Sequence, residues 1–98
     1  MTRRVSFHPM AEQELNDAAS YYNAQSPGLG HAFLDEVRRA VDQILEHPEA
    51  APLANRLVRR KLVPRFPYGV MHSLTPDSIR TLAVANLKRR PFYWRGRE

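Results

Sequence analysis

Gln25-Ser26-Pro27-Gly28 interrupts two amphipathic runs, and its position decides the fold. On its N-terminal side, apolar residues fall at Ala11, Leu15, Ala18, Ala19 and Tyr22, one stripe at helical period. Pro9 suits the first turn of that helix, where its missing N–H costs nothing. Glu12 and Glu14 sit in the early turns, where the helix dipole favours negative charge. Beyond the break a second helix starts near Leu29 or Gly30. Phe33, Val37, Ala40, Val41, Ile44 and Leu45 form its stripe, with charged residues on the other faces. His47-Pro48 stops it, because the residue before a proline disfavours helix. Two helices joined by a short Pro-Gly turn predict an antiparallel hairpin. Neither helix can bury its stripe alone, so a sheet must cover them.

The flanking sequence supplies that sheet. Val5-Ser6-Phe7 alternates and reads as a short strand ended by His8-Pro9. Residues 56–63, 68–74 and 79–87 are three further β-prone runs. Thr75-Pro76-Asp77-Ser78 is a turn with proline at the position that pre-sets its φ. Short turns between runs predict an antiparallel meander, with the first strand joining its edge. Residues 49–55 read as a crossing loop. The expectation is an α+β fold in which an N-terminal strand and a helical hairpin pack on a small antiparallel sheet, one domain over residues 1–98.

Composition narrows the class. Hydrophobic content is 43% and charged content 26%, ordinary for a globular chain. No apolar run approaches the ~18 residues of a membrane span. Met1-Thr2-Arg3-Arg4-Val5 has arginines but no apolar stretch behind them, so no secretory signal is expected. With no cysteine, disulfides and thiolate metal sites are excluded, and a reducing cytoplasm fits. Charge is lopsided. Residues 1–50 hold four Arg/Lys against eight Asp/Glu, whereas residues 51–98 hold eleven against two. A basic half studded with aromatics suits a polyanion or an acidic protein partner.

The basic clusters are Arg59-Arg60-Lys61, then Arg65, and Lys88-Arg89-Arg90 after the last run. Alternation puts Arg59 and Lys61 on one face of a strand and Arg60 on the other. If the clusters meet, the cleft would bind phosphate, for which an arginine fork is suited. His8, His31, His47 and His72 show no metal-ligand spacing, and neither metal nor cofactor is expected. His72 alone, mid-strand beside the basic clusters, could serve as a general acid or base. Residues 88–98 end in Phe92-Tyr93-Trp94-Arg95-Gly96-Arg97-Glu98. Burying such rings offsets the entropy of ordering a few residues. Phe92 and Trp94 are therefore expected to pack on the domain, with Arg95 and Arg97 projecting outward.

Phe7-His8-Pro9, Glu14-Leu15, Tyr21-Tyr22, Pro27-Gly28-Leu29-Gly30, Phe33-Leu34, Arg59-Arg60, Arg65-Phe66-Pro67-Tyr68 and residues 89–95 together resemble the RelE/ParE superfamily, the toxins of bacterial toxin–antitoxin modules. The resemblance implies a growth-inhibiting plasmid-stabilisation toxin held in a complex with a cognate antitoxin. RelE-like members cleave mRNA on the ribosome without a metal; ParE-like members poison DNA gyrase. For the nuclease, it implies Lys61, Arg65, Arg89 and Tyr93 as catalytic groups. Gly69 stands where those nucleases carry an arginine, which favours the ParE-like class. Arg59, Arg60, Lys88, Arg90, Arg95 and Arg97 are the expected target-binding residues. Tyr21, Leu29, Phe33 and Leu34 are expected to form an exposed groove for an antitoxin helix. An inactive partner-binding module is the remaining alternative.

Overall fold

A computed structural model describes residues 3–98. Met1 and Thr2, the start of the segment searched for a secretory signal, lie outside the described residues. The elements are β1 (Arg4–Phe7), α1 (Pro9–Gln25), α2 (Leu29–Glu46), β2 (Arg59–Val63), β3 (Tyr68–Leu74) and β4 (Ser78–Asn86). No described helix is long and apolar enough to cross a membrane.

The hairpin forms where the Pro-Gly break predicts it. Pro9 opens α1, and the His8 imidazole accepts a hydrogen bond from the Met10 N–H at 3.0 Å. This satisfies one of the amides left free at a helix start. At the other end, the Asn23 side-chain oxygen accepts from the Gly28 N–H at 2.9 Å and closes the turn. Gly28 takes a φ of 89°, a left-handed conformation that L side chains rarely adopt. At Gly30 a Cβ would lie 2.5 Å from the Ala19 carbonyl oxygen. The missing side chain lets the two helix backbones approach closely.

The sheet order is β1-β4-β3-β2. β2, β3 and β4 form the expected antiparallel meander. β1 joins its edge as expected, but runs parallel to β4, with Arg4 opposite Ser78 and Phe7 opposite Thr81. The sheet is therefore mixed rather than wholly antiparallel. β2 starts at Arg59, three residues later than the apolar–basic run suggests. The Asn55 side chain accepts from the amides of Leu57 and Val58 and holds residues 55–58 in a turn instead.

Each face of the sheet buries its own cluster. Phe33, Val37, Ala40 and Ile44 of α2 pack on Val63, Val70, Ile79 and Val84. On the opposite face Val58, Met71, Leu82, Ala83 and Ala85 gather around Trp94. Among the described residues, the C-terminal segment and the loop before β2, rather than a helix, pack on this second face. The register explains how one strand serves both faces. His72 pairs with Thr81 and Met71 with Ala83, so Leu82 is an extra residue on β4. This bulge turns both Leu82 and Ala83 toward the Trp94 side.

Candidate functional site

The open face of the sheet carries a groove of about 280 Å³. Arg60 and Leu53 form one side. Leu87, Arg89, Arg90 and Phe92 form the other, and Met71, Ala85 and Trp94 the floor. Alternation along β2 sets which cations reach it. Arg60 pairs across the sheet with Met71 of the open face, whereas Lys61 pairs with Val70 of the helix-covered face. Arg60 and Leu62 are exposed on the open side. Lys61 lines a second hollow between β2 and the end of α2, at whose edge Arg60 and Leu62 also lie.

The groove therefore brings Arg60, Arg89 and Arg90 together but leaves out Lys61. Arg59 is also spoken for. Its guanidinium donates to the carbonyls of Glu49 at 3.0 Å and Ala51 at 2.7 Å, tying down the loop before β2. Arg65 lies in the β2–β3 turn with a φ of 73°, exposed beside the Phe66 ring. Lys88 and Arg95 are exposed, and Arg95 lies over the Phe92 ring. Gly69 is buried between Arg60 and Met71. A Cβ there would lie 3.2 Å from Arg60 Cγ and from Met71 Cε, so an arginine at this position requires both side chains to yield.

Two proton-transfer candidates are placed against that role. His72 is fully buried. Its Nδ1 lies 3.0 Å from the Val70 carbonyl, and its Nε2 and the Thr81 hydroxyl opposite have no partner among the described residues. Burial pushes its pKa down; the Val70 hydrogen bond opposes this and the nearby Arg59 charge adds to it. Tyr93 donates its hydroxyl to Glu14 at 2.9 Å. Burial, then the hydrogen bond to that carboxylate, pushes the phenol above its usual range, opposite to what a base needs.

His72 yields a pH prediction. The unfolded ring takes up a proton near pH ~6.5, whereas the native ring resists it until a lower pH. Between those points the unfolded chain binds more protons, so stability falls as pH drops below ~6.5. The difference in melting temperature between pH 8 and pH 5.5 should be smaller in His72→Gln than in the parent. Equal differences would show that His72 does not govern this acid response.

The tail corrects the sequence on two counts. Trp94 is buried at 4% exposure, as expected, but Phe92 is 38% exposed on the groove wall. Arg95 points outward, but Arg97 turns inward. It donates to Glu14 through both terminal nitrogens, at 3.0 and 3.1 Å, and to the Leu82 carbonyl at 3.0 Å. Glu14 also accepts from the Val84 N–H at 3.1 Å. β1 ends opposite Thr81, so these side chains satisfy the β4 edge beyond it. Glu14 was legible as an oddity. It lies three residues after Ala11 and four before Ala18, inside the apolar stripe of α1, where a carboxylate needs buried partners.

On the outer side of the hairpin, Leu34, Gly30 and Ala19 border a shallow hollow. Tyr21 is 60% exposed and Leu29 and Leu34 are half-buried. Phe33 does not border this hollow. It is completely buried against Tyr22, Phe66 and Tyr68, because the α2 stripe that contains it faces the sheet.

The helical hairpin on a four-stranded mixed sheet is a fold found in a known toxin–antitoxin system. A chain of the chromosomal ParDE toxin–antitoxin system from P. aeruginosa superposes with a TM-score of 0.77 at 13% identity, covering 89% of this chain and 98% of its own. Residues 5–91 match the model of the ParE toxin of type II toxin–antitoxin systems, parDE, and the chain belongs to that family. No curated protein matches it.

Proposed function

We propose that residues 1–98 form one cytoplasmic toxin domain that arrests growth and stabilises its replicon, held in check by a cognate antitoxin. The proposed action is ParE-like: the open-face groove binds a protein target, DNA gyrase, and cuts no RNA. The observation that carries this is the sidedness of the sheet. Lys61 lies on the helix-covered face of β2, outside the groove that Arg89 lines, which separates two groups of the nuclease reading. Tyr93 is committed to Glu14 and His72 is buried. The groove instead mixes Arg60, Arg89 and Arg90 with exposed Leu53, Leu87 and Phe92. Arginine among aromatic and aliphatic groups is the composition of a protein-docking surface. For the antitoxin, an apolar helix face against Tyr21, Leu29 and Leu34 fits the exposed side of the hairpin. An acidic stretch of the same partner suits the basic half of the chain.

The test is induction of the chain alone and then with its adjacent gene, following growth, plasmid supercoiling and mRNA ends. Growth arrest with inhibited supercoiling, relieved by the neighbouring gene, is expected. The double variant Arg60→Ala, Arg89→Ala should lose at least tenfold in gyrase inhibition, while Lys61→Ala keeps it. Codon-placed mRNA cuts that disappear in Arg89→Ala would make the protein a RelE-like ribosome-dependent nuclease instead.

A further inference from the structure

Glu14 is half-buried on α1 and is joined to the groove by a continuous set of contacts. Oε2 accepts from the Tyr93 hydroxyl at 2.9 Å, while Arg97 grips both carboxylate oxygens at 3.0 and 3.1 Å. The Tyr93 ring contacts two guanidiniums: Arg97 is 5.3 Å from its centroid and Arg89 4.2 Å. Arg89 is exposed and lines the groove. We propose that Glu14 is a positioning residue: through the Tyr93 ring it fixes the Arg89 guanidinium at the rim of the groove. The inference rests on the groove being the target surface.

Stability alone does not account for a carboxylate here. A buried ion pair is often no more stabilising than apolar residues of the same volume. What four converging hydrogen bonds supply is geometry. With the Val84 amide and Arg97 they lock α1, β4 and the tail in one register, so the ring cannot swing. A long exposed arginine otherwise samples many rotamers, and ordering it on binding lowers affinity. A ring held from behind pre-orders it, since a guanidinium is attracted to an aromatic face.

The test is the purified full chain carrying Glu14→Gln, Tyr93→Phe or Arg89→Ala, with two readouts. The first is the NMR shift of the Arg89 side-chain protons, which the Tyr93 ring current moves upfield in the parent. The second is inhibition of gyrase supercoiling. Glu14→Gln should collapse the upfield shift and lower inhibition as far as Arg89→Ala does, about tenfold. The double variant Glu14→Gln, Arg89→Ala should be no worse than Arg89→Ala alone. If Glu14→Gln does not fold, Tyr93→Phe takes its place. It keeps the ring and removes only the link to Glu14, and should lose most of the shift. An unchanged Arg89 shift in the folded variants, or additive losses in the double variant, overturns the positioning role. Full inhibition by Arg89→Ala would instead remove the groove as the target surface, a failure visible independently of the NMR result.

Discussion

Phe33→Ala is expected to unfold much of the population at growth temperature. Phe33 has no exposed surface and sits edge-on to Phe66 and Tyr68, with Tyr22 tilted against it. Truncating a buried phenylalanine costs about 3–5 kcal/mol, a large share of the ~5–15 kcal/mol that holds a domain together. Phe33→Asp should give no folded protein, because an unpaired carboxylate would replace the ring. Leu34→Asp is the informative contrast. Leu34 is half-buried on the outer side of the hairpin, so the variant should fold and lose affinity for the antitoxin. Denaturant unfolding and a binding titration on the same samples separate the two. A folded Phe33→Asp protein would contradict the packing described above.

The second large effect is expected in the tail, where Arg97 and Arg95 should differ sharply. Arg97→Ala leaves the mostly enclosed Glu14 without its main charge partner and frees the Leu82 carbonyl. Breaking one side of a buried pair costs about 3–5 kcal/mol. Here both side chains keep a little exposure, so the lower end is expected. Arg95→Ala loses only a surface cation–π contact with Phe92, about 0.5–1 kcal/mol. Truncation after Pro91 should be worse than either, since it also removes Trp94, whose loss alone uncovers Met71, Leu82 and Ala85. Thermal unfolding of the three chains gives the order. Equal melting temperatures for Arg95→Ala and Arg97→Ala would refute the inward-turned Arg97.

The helices were legible because their information is local. Period, proline at the start of α1 and glycine at the break all act within a few residues. The existence of three later strands was legible on the same ground. The direction of β1 was not, since nothing in Val5-Ser6-Phe7 records which way its neighbour runs. Alternation separated Arg60 from Lys61, but could not say which of them shares a groove with Arg89 and Arg90, because that depends on where the distant tail packs. Phe33 shows the converse error: its helical stripe already assigned it to the core, and the groove reading contradicted that stripe. The tail was half legible. Apolar area predicts that Trp94 is buried, but not that Arg97 turns inward, because its partner Glu14 is distant in sequence.

The parallel pairing of β1 with β4 has a consequence for how the chain reaches this state. Arg4 finds its neighbour at Ser78, on the far side of both helices and two strands. Contacts this distant in sequence close a long loop before they return any stabilisation, and they slow folding. The hairpin and the meander can each assemble from neighbours, so the two pieces should form early and dock late, with β1 sealing them together. The rate-limiting event in refolding should then be sensitive to Val5 and Phe7 rather than to the turn at Gly28.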